Sequence, residues 1–199
     1  MSDDPFNTDP GQTPIDESER RDLISSIFSR SELNALEREN INAAREWSTS
    51  ARILKRRAIL SEAFIRELHQ KMFSKVWRWA GTYRTSPRNL GWEAYRIPEG
   101  VRIALDDARF WIANSTYPLP ETAIRLHHRL VVIHPWVNGN VRHARLLADC
   151  LIAASNHKPL RWGGISEELL SAGNLRQNYL EALRRADEQD FETLIKFCA

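Results

Sequence analysis

The most informative part of the chain is the segment His134-Pro-Trp-Val-Asn-Gly-Asn-Val-Arg-His-Ala-Arg145. Its His-Pro pair predicts the end of one helix, and its Asn-Gly turn precedes the start of another. Arg142 and Arg145 lie three residues apart and share one face of that second helix. Free N–H groups at a helix N-terminus attract an anion, and two guanidiniums can bind further phosphoryl oxygens. An imidazole can accept a proton at neutral pH, so the segment predicts a phosphate site with His134 as its base.

Each part of this segment also has a simpler explanation. A His-Pro pair often does no more than end a helix, and Asn-Gly is a common turn dipeptide. Arg145 could pair with Asp149 four residues later, and Arg142 could be solvated. The phosphate-site interpretation is preferred because base, turn, helix start and paired arginines occur together and in order.

Apolar residues recur at helical spacing on both sides of this segment. Ser31 is the expected N-cap of a helix in the N-terminal part. Residues 82–97 differ, because short aromatic or β-branched pieces alternate there with Pro87, Asn89 and Gly91, a pattern typical of a small hairpin. The other predicted helices span 61–77, 98–113, 120–134, 140–155, 167–172, 174–186 and 190–197, with a short one near 23–27. The sequence therefore predicts an all-α bundle that carries one small β-hairpin.

Composition excludes several classes of protein. With 42% hydrophobic and 27% charged residues, the 199-residue chain has the make-up of an ordinary globular protein. Its uncharged apolar runs are far shorter than the ~18–20 residues of a membrane-spanning helix. No basic segment followed by an apolar one begins the chain, and only Cys150 and Cys198 occur, so we expect a cytoplasmic protein without a disulfide. No helix concentrates Lys and Arg among aromatic residues, which argues against nucleic-acid binding.

The segment from His134 to Arg145 resembles the signature of the Fic (Fido) family, His-x-Phe-x-(Asp/Glu)-Gly-Asn-Gly-Arg-x-x-Arg. Two further stretches are similar to that family, Trp77-Arg-Trp-Ala-Gly-Thr-Tyr-Arg84 and His128-x-x-x-x-Ile-His-Pro. The branch that the chain resembles most is the one named mobile mystery protein B. The resemblance implies a Fic-type helical bundle with the hairpin as a flap. The expected organisation is a flexible acidic arm over 1–17, N-terminal helices with a possible inhibitory helix over 18–50, and a Fic-like catalytic core over 51–199.

The resemblance implies transfer of AMP from ATP to a Ser, Thr or Tyr hydroxyl of a target protein. His134 would be the general base, and the flap would align the target segment by strand addition. Mg²⁺ would bridge the phosphates, with Asn138 at the position of the usual acidic ligand. The residues implied to contact the nucleotide phosphates are Gly139, Asn140, Val141, Arg142 and Arg145.

Two departures from the signature keep alternatives open. Asn138 brings no charge, so it should bind a metal weakly. Val141 replaces the second glycine, and a requirement for positive φ there would strain it by about 1–3 kcal/mol. On that reasoning Val141→Gly should raise AMP transfer about tenfold or more. The related Doc toxin also lacks this glycine and is a kinase, so the alternatives are a Doc-like protein phosphotransferase and a catalytically silent Fic fold that binds a nucleotide or a partner.

The N-terminal region offers a candidate regulator. The stretch Ala35-Leu-Glu-Arg-Glu39-Asn40 resembles the family's inhibitory pattern Ser/Thr-x-x-x-Glu-(Gly/Asn) except at its first position. The resemblance implies that Glu39 pairs with Arg145 and displaces the γ-phosphate. Residues 1–40 hold ten acidic and four basic residues, against a basic remainder, which suits such a contact. The alternative is that Glu39 is one of several solvated charges on an acidic helix.

Overall fold

A computed structural model of the protein describes residues 20–24, 29–88, 90–155, 157–163 and 174–199. Within these residues the chain is helical, with a single turn of 3₁₀ helix at Ala94–Arg96. The α-helices are α1 (Arg30–Ser48), α2 (Ala51–Arg56), α3 (Glu62–Phe73), α4 (Ile97–Ala113), α5 (Leu119–Ile133), α6 (Asn140–Ala154), α7 (Asn174–Asp187) and α8 (Glu192–Cys198). The all-α class is confirmed.

Serine hydroxyls begin two of these helices, and one of them differs from the prediction. The N-cap of α1 is Ser29 rather than Ser31, since the Ser29 hydroxyl accepts the N–H of Glu32 at 3.2 Å. Ser61 caps α3 in the same way. Helix α3 ends at Phe73, earlier than expected, because the chain turns there and brings Trp77 against Leu23 in an isolated β-bridge.

The core lies around α6. Helix α5 packs along α6, α4 packs on α5, α1 packs on α3, and α8 packs on α7. Because α6 is surrounded by the other helices, it is buried on most of its circumference. Its buried residues are Asn140, His143, Ala144, Arg145, Leu146, Leu147, Ala148, Cys150, Leu151 and Ile152. The most buried helix of the described residues therefore begins at Asn140, close to His134 in the chain.

The predicted hairpin is not seen. Apart from Asn89, which the structure does not describe, residues 82–93 form a loop that leads into the 3₁₀ turn. The physical reason is that its backbone bonds to the end of α5 instead of across a hairpin. The N–H of Arg84 donates to the carbonyl of Pro135 at 2.9 Å, and the N–H of Trp92 donates to that of Ile133 at 3.1 Å.

The remaining expectations have mixed outcomes. The arm over 1–17 and the helix over 167–172 lie outside the described residues. Cys150 and Cys198 are buried free cysteines. No helix among the described residues has the length and apolar character needed to span a membrane.

Candidate active site

The candidate base lies in a tight turn at the end of α5. His134 has φ 55° and ψ 60°, the left-handed conformation that is uncommon outside glycine. Its Nδ1 lies 3.3 Å from the carbonyl oxygen of Val131, which can only accept, so Nδ1 carries the proton and Nε2 holds the lone pair. The chain therefore presents an imidazole with its basic nitrogen already defined.

Burial changes the protonation of this histidine. His134 is buried, with only 6% of the residue exposed. Burial, with a smaller contribution from the positive charges of Arg84 and Arg88, lowers the pKa of His134 to about 4, although the bond to Val131 acts in the opposite direction. His134 is thus neutral at pH 7 and ready to accept a proton.

Gly139 forms the N-cap of α6 and needs to be glycine. Its φ is +79°, and a Cβ there would lie 2.3 Å from Cζ of Phe73. The aromatic ring of Phe73 thus forms the floor of the turn. A side chain at Gly139 would be strained and would also displace this floor, so the glycine of the signature has a direct structural reason.

Asn140 holds the turn closed with its side chain. Its Oδ1 accepts the N–H of Trp136 at 2.8 Å, and its Nδ2 donates to the carbonyl of Trp136 at 2.9 Å. This side chain is buried, so Asn140 shapes the turn with its amide and can offer a phosphate only its backbone.

Two buried histidines that the sequence analysis did not single out support the turn from below. His69 accepts the N–H of Gly81 on Nδ1 at 2.9 Å, so its Nε2 donates to the carbonyl of Asn138 at 3.1 Å. Trp136 donates Nε1–H to Nδ1 of His143 at 3.2 Å, so His143 donates from Nε2 to the carbonyl of Ile65 at 2.9 Å. His69 also stacks on Trp136 with ring centroids 4.1 Å apart. The sequence does contain a signal for this role, because His69 is a polar residue within the apolar stripe of α3.

These two imidazoles are neutral. Burial lowers the pKa of His69 well below its usual value, and the nearby His143 lowers it further. Burial lowers the pKa of His143 to about 4, against its bond to Ile65, which raises it. The turn therefore rests on uncharged rings whose single protons are all committed to defined acceptors.

The side-chain amide of Asn138 bonds within the turn. Its Oδ1 accepts the N–H of Gly139 at 2.7 Å, so the one oxygen at the acidic position of the signature is already engaged. Among the described residues there is no group of three or more His, Cys, Asp or Glu side chains that could hold a metal ion. A Mg²⁺ ion held by the protein prefers carboxylate oxygens. At this position the protein therefore offers such an ion an uncharged amide oxygen that already accepts one hydrogen bond.

Val141 sits in ordinary helical geometry. It is the second residue of α6, half-buried against the core, and the positive φ of this turn belongs to Gly139 instead. The expected strain at Val141 is therefore wrong, because the position after Asn140 already follows the helix.

The two arginines have different surroundings. Arg142 forms an ion pair with Glu37 of α1, Nη1 to Oε2 at 2.6 Å, and lies over the Phe73 ring at 5.0 Å. Arg145 is buried over the ring of Tyr179 at 5.7 Å. Burial lowers the pKa of the Arg145 guanidinium, and the charge of Arg142 lowers it further. A nearby anion would stabilise the charge of this buried guanidinium.

Asp149 takes a different partner from the one considered in the sequence. It pairs with Arg45 of α1, Nη1 to Oδ2 at 2.9 Å, and accepts the Nε1–H of Trp162 at 2.8 Å. The charge pairs of Asp149 with Arg45 and of Arg142 with Glu37 therefore join α1 to α6 at two points along both helices.

The acid that meets the site from α1 is Glu37, not Glu39. Glu37 is 3% exposed, and its Oε1 accepts the Nε1–H of Trp77 at 2.7 Å while Oε2 bonds Arg142. Glu39 is exposed, because residues two apart point to nearly opposite sides of a helix. The buried stripe of α1 is Leu33, Glu37, Asn40, Ala44 and Ser48. The expected pair of Glu39 with Arg145 is thus replaced by Glu37 with Arg142.

Comparison with known proteins agrees with this geometry. The family model described as Fic/DOC family matches residues 59–152, from the residues before α3 to the last turn of α6. This chain carries a Fic domain. The Fic domain contains the histidine turn, Gly139 and both arginines, whereas Glu37 lies before the matched residues. The branch named mobile mystery protein B stays a prediction.

Proteins similar to this Fic domain come from Drosophila as well as from Bacteroides and Bartonella. The Protein adenylyltransferase Fic of Drosophila mojavensis is 27% identical over 140 residues, which are 68% of this chain and 26% of that protein. A Fic domain containing signaling protein from Bacteroides thetaiotaomicron has a TM-score of 0.67 at 22% identity, covering 87% of this chain and 70% of that one. BepC from Bartonella tribocorum, solved with bound AMPPNP, has a TM-score of 0.66 at 15% identity, covering 92% and 96%. The chain spans about a quarter of the Drosophila relative's length.

Proposed function

We propose that the protein is a Fic-type nucleotidyltransferase that transfers AMP from ATP to a Ser, Thr or Tyr hydroxyl of a target protein. The observation that carries this proposal is the lone pair on Nε2 of His134 in the turn that leads to the glycine-capped start of α6, with Arg142 on the first turns of that helix. The relative named protein adenylyltransferase and the Fic structure solved with AMPPNP support it.

In the proposed reaction the target hydroxyl attacks the α-phosphorus of ATP. A new oxygen–phosphorus bond forms as the bond from the α-phosphorus to the bridging oxygen breaks, and pyrophosphate leaves. Nε2 of His134 takes the hydroxyl proton. The lowered pKa of His134 keeps it unprotonated beforehand. The negative phosphates of a bound nucleotide raise that pKa again, so the base strengthens when substrate is present.

The start of α6 and the arginines would bind the nucleotide. Free backbone N–H groups after Gly139 point at the anion, and the helix dipole favours negative charge there. Arg142 and Arg145 would neutralise the departing pyrophosphate. Since the protein offers no carboxylate at Asn138, Mg²⁺ would be held by the phosphates of the nucleotide, and neither His134 nor the two arginines would depend on it for their roles.

We further propose that α1 inhibits the enzyme through Glu37. A carboxylate on Arg142 occupies the donors that a phosphate needs, so ATP must displace it. This assigns to Glu37 the role that the resemblance gave to Glu39. The exposed Glu39 then serves as a natural control for any experiment on Glu37.

A catalytically silent nucleotide-binding Fic fold is the second candidate. It is favoured by Asn138, whose oxygen is engaged by Gly139 rather than available to a metal. The third candidate is a Doc-like protein phosphotransferase, which is favoured by Val141 in place of the second glycine of the signature.

Labelled ATP separates the three functions. Wild type and Glu37→Gln are incubated with ATP carrying label at the α- or the γ-phosphate, alone and with a cell lysate as the source of target. The proposed function gives α-label on protein, lost in His134→Asn. Label from the γ-position alone indicates phosphotransfer. Binding of ATP without either label in both proteins indicates the silent fold.

A further inference from the structure

Arg84 is a buried guanidinium that bonds the backbone on both sides of the site. It is 2% exposed. Its Nε donates to the carbonyl of His134 at 2.7 Å, its Nη1 donates to that of Ser86 at 2.9 Å, and its Nη2 donates to that of Trp92. Its own N–H donates to the carbonyl of Pro135. One residue therefore ties two consecutive peptide groups of the histidine turn to the loop that follows Arg84.

One of these hydrogen bonds reaches the carbonyl of His134, the residue with the left-handed backbone. A left-handed residue other than glycine persists only when its surroundings hold it, at a cost of order 1–3 kcal/mol. The carbonyl of His134 lies beyond the end of α5, so the Arg84 guanidinium satisfies it. From the other side Gly91 packs so closely that a Cβ there would lie 2.5 Å from Cβ of His134. The position of His134 is thus fixed both by the hydrogen bond to its backbone carbonyl and by the close packing against its Cβ.

We propose that Arg84 is a positioning residue for His134, which holds the left-handed turn so that Nε2 faces the start of α6. The proposal rests on the proposed function, in which His134 is the base. Arg84 would act through His134 and not through contact with the nucleotide. Its positive charge also helps to keep His134 neutral, together with that of Arg88. Geometry and charge are therefore two separable contributions of one side chain.

Two substitutions separate these contributions. Arg84→Lys keeps the charge but cannot reach three carbonyls at once, and Arg84→Gln loses the charge as well. Arg78→Lys is the matched control, because exposed Arg78 donates to the carbonyl of Arg21. We measure AMP transfer, the Kd for ATP, and the imidazole nitrogen NMR signals and pKa of His134 in the protein without nucleotide.

The expected result is a fall in kcat of about 10- to 100-fold in both Arg84 variants, since small displacements of a base are costly. The Kd for ATP should stay within about twofold, because the phosphate donors are untouched. Both variants should lose the single Nδ1–H signature of His134, and only Arg84→Gln should raise its pKa clearly. The control should match wild type in every measurement.

Two results would contradict the positioning role of Arg84. Wild-type kcat and an unchanged His134 spectrum in Arg84→Lys would overturn the proposal, as would loss of fold in both variants, since Arg84 would then hold the whole chain. If wild type transfers no AMP, the proposed function fails separately. The NMR arm then decides alone: an altered His134 spectrum in the Arg84 variants supports positioning, and an unaltered one overturns it.

Discussion

Replacing Glu37 with glutamine isolates the ion pair between α1 and the site. The two oxygens of Glu37 have separate partners, Oε1 with Trp77 and Oε2 with Arg142. The amide oxygen of glutamine can still accept the indole N–H of Trp77. Its NH₂ group then faces Arg142, where two donors cannot bond each other. Glu37→Gln therefore removes one contact and keeps the packing.

The expected magnitude follows from the burial of the two partners. A hydrogen bond to a charged group contributes about 1.5–3 kcal/mol. The Glu37 side chain is 4% exposed but that of Arg142 is 21% exposed, so solvent screening reduces the contribution to about 1–2 kcal/mol. Removing the competitor should then tighten ATP binding by about 5- to 30-fold, at ~1.4 kcal/mol for each factor of ten.

The assay is calorimetric titration of ATP into wild type, Glu37→Gln and the exposed control Glu39→Gln, together with unfolding of each protein without nucleotide. We expect Glu37→Gln to bind ATP more tightly and yet to unfold more easily, because the same contact stabilises the free protein and competes with the ligand. Glu39→Gln should match wild type in both. Unchanged affinity in Glu37→Gln would refute the reasoning, and tighter binding in Glu39→Gln would restore the pair that the sequence suggested.

Three further predictions use the same protein. His134→Asn should cut α-label transfer by about 100-fold or more while the melting temperature stays near wild type, because asparagine tolerates the left-handed turn better than most residues; transfer at the wild-type rate would contradict the role of the base. Val141→Gly should lower the free energy of unfolding by about 1 kcal/mol, as glycine does inside a helix, and should not give the tenfold gain that relief of strain would give. Denaturation in urea between pH 7 and pH 4 should show a loss of stability to which His143 and His134 each contribute about 3 kcal/mol, because the pKa of each is lowered to about 4. The unfolded chain binds these protons below about pH 6.5 while the two folded histidines do not, so stability is complete above that pH and falls toward pH 4; a profile without slope in this window would disprove it.

The sequence predicted the helices well because their apolar stripes are long and regular. It also predicted that one helix ends at His134 and that the next begins after Gly139, since both signals lie close together in one segment. The prediction of a hairpin was wrong for a reason that the sequence pattern alone cannot reveal. Residues 82–97 have the turn residues of a hairpin, but the carbonyl groups of the α5 turn take their hydrogen bonds.

The expected pair of Glu39 with Arg145 was wrong for a similar reason, and the alternative, that Glu39 is a solvated charge, agrees with its exposure. The resemblance to the inhibitory pattern selected Glu39. Which face of a helix becomes buried, however, depends on the residues that pack against that helix. Trp77 selects Glu37 by donating its indole N–H, and Trp77 comes from a turn forty residues later. The lowered pKa of His134 was likewise out of reach, because it depends on burial and not on neighbours in the chain.

The double attachment of α1 to α6 has a consequence for how inhibition would depend on concentration. A phosphate competes with Glu37 for Arg142, while the pair of Arg45 with Asp149 lies two helical turns further along and is left intact. Glu37 released by ATP therefore remains tethered beside its site at a high effective concentration set by the fold. The ATP concentration that half-displaces it should be the same in dilute and in concentrated protein, which distinguishes this device from an inhibitor supplied by a second molecule.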